Sequence, residues 1–407
     1  MTFSFLAHGH VTSPEGFRAA TAECGIKYTN RADLALIVSD RPCSAAAIFT
    51  TNKVKAAPVL FDQALIKRNN SNVRAVVINS GNANACTGPA GLEAAATTAK
   101  AVESTLGLPA DSTFVMSTGV IGVQLPVDKI LARLPEISID LVCEGGPAAA
   151  QAIMTTDTRP KTCAVEVSLP SGSKVKIGGM AKGAGMIAPN MATMLSVITT
   201  DASITPEVLD SALRRSADVS FNSMTIDGDT STNDTLLLLA NGASKSETIS
   251  DLDSPDGQAW YEGLVAICQK LAQEVARDGE GATRFVTITV RGAVSDAEAR
   301  QAAMTVANSP LVKTALFGAD PNWGRVLMAL GRSGVELDQD KVSLFFGGLK
   351  VLEGGIPVDF DEIEAHKLLD VPEVKIEADL NLGDGQATVW TCDFSYDYVK
   401  INAEYRT

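Results

Sequence analysis

Histidine is nearly absent from this chain, with only His8, His10 and His366 among 407 residues. A histidine-assisted nucleophile or a histidine-rich metal site therefore has little to draw on. His8-Gly9-His10 could chelate, but a closed site needs more ligands, so solvated or capping roles and no metal are expected. The seven cysteines, Cys24, Cys43, Cys86, Cys143, Cys163, Cys268 and Cys392, are scattered and form no C-x-x-C. They read as reduced thiols of a cytoplasmic protein. Positive charge is also short, with 34 Lys and Arg against 48 Asp and Glu and a net charge of −14. Nucleic-acid binding needs a basic surface, so no such partner is expected, although a local pocket for a small anion remains compatible. No apolar run approaches the roughly 20 residues of a membrane-spanning helix. The opening MTFSFLAHGHVTSPEGF carries no basic stretch followed by a long apolar one, so neither a membrane nor a secretory signal is expected.

What is present is ordinary globular composition, 45% hydrophobic and 20% charged. The length suits two lobes or one large α/β assembly. Short β-branched runs predict strands at 34–38, 46–50, 73–79, 113–117, 163–169, 194–200, 235–240, 285–290, 342–346, 374–380 and 387–394. Amphipathic stretches predict helices at 91–106, 127–134, 206–217, 258–277, 297–308 and 322–331. Thr205-Pro206-Glu207 reads as a helix start with a capping hydroxyl, and Ser254 to Gly257 as a turn in a surface excursion. The strands cluster and several alternate in polarity. That favours an α/β protein with mixed or antiparallel sheets under helices over a doubly wound parallel sheet.

The most unusual stretch is GGMAKGAGMIAPNMATMLSVITTD, from Gly178 to Asp201. It lacks G-x-x-x-x-G-K-[ST], and Gly183-Ala184-Gly185 does not continue to the third glycine of a dinucleotide loop. Taken alone, it is a glycine-rich bend entering a core strand at Thr193. A strained peptide bond before threonine permits a second chemistry. The hydroxyl attacks the preceding carbonyl, water hydrolyses the resulting ester, and a threonine with a free α-amine remains. That amine titrates at about 7.7–8.0 when unperturbed, so it can act as base for its own hydroxyl. Such a nucleophile needs no histidine.

The run KGAGMIAPNMATML at 182–195 resembles the self-cleavage segment of the ornithine acetyltransferase family, the bifunctional glutamate N-acetyltransferases of arginine biosynthesis. The similarity extends through RADLALIVSD at 31–40, FTTNKVKAAPV at 49–59, NSGNANACTG at 79–88, STGVIG at 117–122 and IMTTDT at 153–158. It continues through DGDTSTNDT at 227–235, DGEGATRF at 278–285, GADPNWGR at 318–325 and NAEYRT at 402–407. The resemblance implies cleavage between Ala192 and Thr193, giving an α chain, 1–192, and a β chain, 193–407, that assemble as a heterotetramer. It implies a fold of sheets sandwiched between helix layers, of the kind found in self-cleaving N-terminal-nucleophile enzymes. It further implies Thr193 as nucleophile and Thr118 with Gly119 as the oxyanion-hole pair. Thr156, Lys182, Thr193, Glu280, Asn402 and Thr407 become the substrate-binding residues, with Thr155 the alternative to Thr156, since adjacent residues of a strand point opposite ways. On charge, Lys182 suits a carboxylate and Glu280 the ornithine ammonium.

The reaction so implied moves acetyl from N2-acetylornithine to Thr193 and then to glutamate. No cofactor is needed, although acetyl-CoA is a co-substrate in some members. An N-terminal-nucleophile amidohydrolase or aminopeptidase would share the nucleophile, with water in place of glutamate. Asn79 to Gly88 and Asp227 to Asp234 are read as structural or supporting clusters. The latter lacks the spacing of a calcium loop.

Overall fold

The computed structural model describes residues 2–188 and 194–404. Nine strands form the larger of two sheets: β1 (Phe3–Phe5), β2 (Phe17–Ala22), β3 (Leu34–Phe49), β4 (Val73–Asn79), β5 (Thr113–Ser117), β6 (Lys161–Ser168), β7 (Lys174–Lys182), β8 (Leu195–Thr200) and β9 (Thr235–Ala240). The 16-residue β3 organises it. Its first half, Leu34 to Ser39, lies between β2 and β4, and its second half, Ser44 to Phe49, pairs with β9. Between them Asp40, Arg41 and Pro42 are exposed. The strand thus crosses from one face of a sandwich to the other. β1, β6, β7, β8, β9 and late β3 make one layer, and β2, early β3, β4 and β5 the other.

Period-two alternation builds the layers. Ala35 and Ile37 face inward with Val76, Ile78, Phe114 and Met116, meeting Met180, Leu195, Val197, Leu237 and Leu239 from the opposite layer. Leu34, Leu36 and Val38 face outward under the helices Gly88–Leu106 and Val127–Ile139. The far side of the other layer, including Val165, Ile177, Ile198 and Leu238, is covered by Pro206–Asp218 and Pro255–Arg277. The result is helix, sheet, sheet, helix.

A second lobe follows, with β10 (Phe285–Ala293), β11 (Ser343–Phe346), β12 (Leu349–Glu353), β13 (Ile356–Pro357), β14 (Glu373–Asp379) and β15 (Gly385–Cys392) in the order β13-β12-β11-β14-β10-β15. The helices Asp296–Ala307, Pro310–Phe317 and Trp323–Gly331 pack on it around its own core. β4–β5, β8–β9 and β10–β14 run parallel and the other ladders antiparallel. The expected mixed α/β fold is present.

Several local expectations are corrected. Gly178 and Gly179 lie within β7 rather than in a bend. A Cβ at Gly178 would come 2.9 Å from Pro14 Cδ, and one at Gly179 2.8 Å from Leu271 Cδ1. These glycines therefore permit close packing over a strand. Thr205 precedes its helix as expected, yet its hydroxyl makes no capping bond. Ser254 to Gly257 is the first turn of Pro255–Arg277, with Ser254 accepting the Gly257 N–H. The surface excursion from Ser244 to Gly257 is present, with half of its residues exposed, and Ser244 and Ser246 tether its start to Asp201 and Ser203.

Candidate active site

β5 and β7 end, and β8 and β9 begin, at one rim of the sandwich. The turns there enclose a cleft of about 750 Å³, counting its open mouth. Its walls include Thr118, Gly119, Thr155, Thr156, Lys182, Asp234, Glu280 and Asn402. All six described positions of the expected site, Thr118, Gly119, Thr156, Lys182, Glu280 and Asn402, therefore meet in one place. Ala192, Thr193 and Thr407 lie outside the described residues. Met194 and Leu195, which follow Thr193 in the chain, line the cleft.

Thr118 and Gly119 leave β5 in a turn held from three sides. The Thr118 N–H donates to Asn79 O at 3.0 Å, and the Ser117 hydroxyl donates to Asn79 Oδ1 at 2.6 Å. Asn233 Nδ2 donates to Ala83 O and Ser117 O at 2.6 and 2.8 Å. Gly119 has φ +135°, and a Cβ there would lie 2.5 Å from Asn82 N, so only glycine fits. Its N–H meets no acceptor among the described residues. The Asn79 to Gly88 cluster thus acts as the expected support, with Asn79 Nδ2 closing on Asn82 O at 2.9 Å.

Lys182 ends β7 opposite Leu195, and its ammonium donates to Thr118 Oγ1 at 3.3 Å. That bond leaves the Thr118 O–H free to donate elsewhere. Burial pushes the Lys182 ammonium below the ordinary lysine range. Asp157, Asp234 and Glu280 counter that fall, and Lys161 adds to it. Glu280 is buried, and its N–H donates to Ala184 O at 2.7 Å. Asn402 Nδ2 spans Glu280 Oε2 at 2.9 Å and Tyr398 O at 3.0 Å. Gly185 makes room for this carboxylate, since a Cβ there would lie 2.5 Å from its carboxyl carbon. Thr155 and Thr156 both face the cleft. They sit in a bend rather than a strand, so strand alternation does not separate them.

The cluster before β9 contributes more than the sequence reading assigned to it. Ser231, Thr232, Asn233 and Asp234 form cleft wall. The buried Asp234 Oδ2 has no partner among the described residues. Burial raises this carboxyl to about 8, against the opposing pull of Ser231 and Lys182, so it is largely protonated at neutral pH. A run of small polar residues at the mouth of an apolar strand was the available signal. Asp227, by contrast, pins the segment after Lys182, accepting the Met186 and Ile187 N–H groups at 2.6 and 2.8 Å. These bonds use its carboxylate for support rather than for a cation loop.

Fixed hydrogen-bond donors beside a buried lysine and a buried carboxylate suit acyl transfer. The model of the ArgJ family matches residues 18–407. An arginine biosynthesis bifunctional protein ArgJ from Symbiobacterium thermophilum is 49% identical over 98% of this chain and 99% of its own. A counterpart from Geobacter sulfurreducens is 49% identical over 97% and 99%. The crystal structure of the protein of that name from Bacillus halodurans has a TM-score of 0.51 and 43% identity. It covers 52% of this chain and all of its own. The protein is therefore an acyltransferase with a mixed α/β fold, and the chain belongs to the ArgJ family.

Proposed function

We propose that this protein cuts itself between Ala192 and Thr193 and then transfers acetyl from N2-acetylornithine to glutamate through Thr193. In maturation the Thr193 hydroxyl adds to the Ala192 carbonyl and the C–N bond breaks, leaving an ester and a free amine. Water hydrolyses the ester to the Ala192 carboxylate and restores the hydroxyl. In turnover the α-amine takes the hydroxyl proton as the oxygen attacks the acetyl carbonyl. Ornithine leaves with that proton on its nitrogen. The glutamate amine then attacks the acetyl ester, regenerating Thr193 and releasing N-acetylglutamate.

The observation that carries this reading is the meeting of Thr118, Gly119, Lys182 and Glu280 in the cleft that Met194 borders. Each tetrahedral intermediate needs fixed donors, and losing one in a comparable site costs on the order of 10²–10³ in rate. The Gly119 N–H and Thr118 hydroxyl supply two. Lys182 receives the substrate carboxylate, and Glu280, braced by Asn402, receives the ornithine ammonium. Thr156 and Thr407 complete the set. The full coverage of the Bacillus halodurans chain by 52% of this one accords with products of about half length.

The products 1–192 and 193–407 pair as an αβ unit, two of which form a heterotetramer, in the cytoplasm. The test is acetyl transfer from acetylornithine measured with and without glutamate. N-Acetylglutamate formed only with glutamate supports the reading. Release of free acetate at the same rate in either case contradicts it and assigns a hydrolase instead.

A further inference from the structure

Behind the cleft lies a charged group that forms no part of its wall. Lys161 opens β6 opposite Ala181, and its side chain is fully buried. Its ammonium donates to Asp157 Oδ1 and to Asp278 Oδ2, each at 2.6 Å. Both carboxylates continue into segments that supply the cleft. Asp157 accepts the Thr155 N–H at 3.0 Å on its other oxygen and the Gly183 N–H at 2.6 Å. It thereby fixes the backbone just before Thr156 and just after Lys182. Asp278 accepts the Thr158 N–H at 3.1 Å and also binds the Thr158 hydroxyl, two residues ahead of Glu280.

Buried ion groups are costly to desolvate and are weak evidence for stability in themselves; some serve to define one arrangement. Here the arrangement joins three cleft-forming segments through one ammonium. We propose that Lys161 is a positioning residue for acetyl transfer. Its bonds to Asp157 and Asp278 set the spacing of Thr156, Lys182 and Glu280 around the substrate. The inference rests on the reading of those residues given under Proposed function. Asp157 and Lys161 precede the proposed cut and Asp278 follows it, so the Lys161–Asp278 pair also ties the two product chains beside the cleft.

The test compares wild type, Lys161→Met and the double variant Lys161→Met with Asp278→Asn, each in the full-length chain. KM and kcat for acetylornithine and the melting temperature are measured for all three. Methionine fills the space but strands two carboxylates, so the single variant should melt lower and show a higher KM. Asparagine removes one stranded charge while keeping an oxygen for the Thr158 N–H. The double variant should therefore melt above the single one while its KM stays raised by at least about tenfold, the effect of losing substrate positioning. This variant carries the test even if the single one fails to fold. A double variant with wild-type KM would overturn the inference, because charge balance would then be the only role of Lys161. A wild-type protein without glutamate-dependent transfer would instead defeat the reading of the site, and this inference with it.

Discussion

At the scale of single residues, the site is an arrangement of buried charges whose partners can be removed one at a time. Glu280→Gln keeps volume and the Asn402 contact but deletes the negative charge. Losing a buried charge partner costs about 2–5 kcal/mol, so KM for acetylornithine should rise at least about tenfold with cleavage at 192–193 unchanged. An unaltered KM would show that the ammonium binds elsewhere. Asp234 makes a pH statement. Its folded-state pKa of about 8 lies above the ordinary carboxyl value of 3.8, so between those values the folded protein holds a proton that the unfolded chain has released. Its contribution to stability is greatest below the lower value and declines as pH rises to about 8. Asp234→Asn removes that decline. Melting curves from pH 4 to 9 should show the variant gaining on wild type up to about pH 8 and no further. A difference that stays constant with pH would contradict the buried, protonated state.

At the scale of elements, much was legible where side-chain pattern and backbone agree. β4 and β5 have the expected bounds because their apolar runs are complete and end in polar turns. The start of Pro206–Asp218 was set by its proline. The sequence pattern predicts two strands where β3 runs, because Asp40, Arg41 and Pro42 interrupt it, although the backbone continues through them as it changes layers. β7 was obscured by Gly178 and Gly179, whose purpose is visible only against Pro14 and Leu271 across the fold. The six described positions that resemblance assigns to the site, Thr118, Gly119, Thr156, Lys182, Glu280 and Asn402, all line the cleft, whereas Asp234 and Lys161 are hidden in the sequence because their burial depends on distant segments. The loop after β7 offers a test at this scale. Gly185→Ala would place a methyl against the Glu280 carboxyl group. Displacement by about 1 Å can cost on the order of 10²-fold, so transfer should fall sharply with little change in melting temperature. Wild-type activity in this variant would show that Glu280 is not held by that contact.

At the scale of the whole molecule, the proposed cut does not follow the boundary between lobes. β7 and β8, on either side of residue 193, are neighbours in one sheet, and β3 pairs with β9. The lobe boundary falls near β10 instead. Two product chains sharing a nine-stranded sheet should stay associated, so native conditions should give one species containing both. Deleting 402–407 should abolish transfer and leave folding intact, since Asn402 lies on a helix with no buried residue. Full activity of the truncated protein would make that end dispensable.

The deciding measurement is the intact mass of wild-type protein and Thr193→Ala under denaturing conditions, paired with acetyl transfer by the same samples. Wild type should appear as two fragments divided at Ala192–Thr193 and transfer acetyl to glutamate. Thr193→Ala lacks the hydroxyl needed for the acyl shift, so it should remain a single inactive chain of 42.6 kDa apart from the substitution. An uncleaved chain transferring acetyl at the wild-type rate would contradict the N-terminal threonine mechanism.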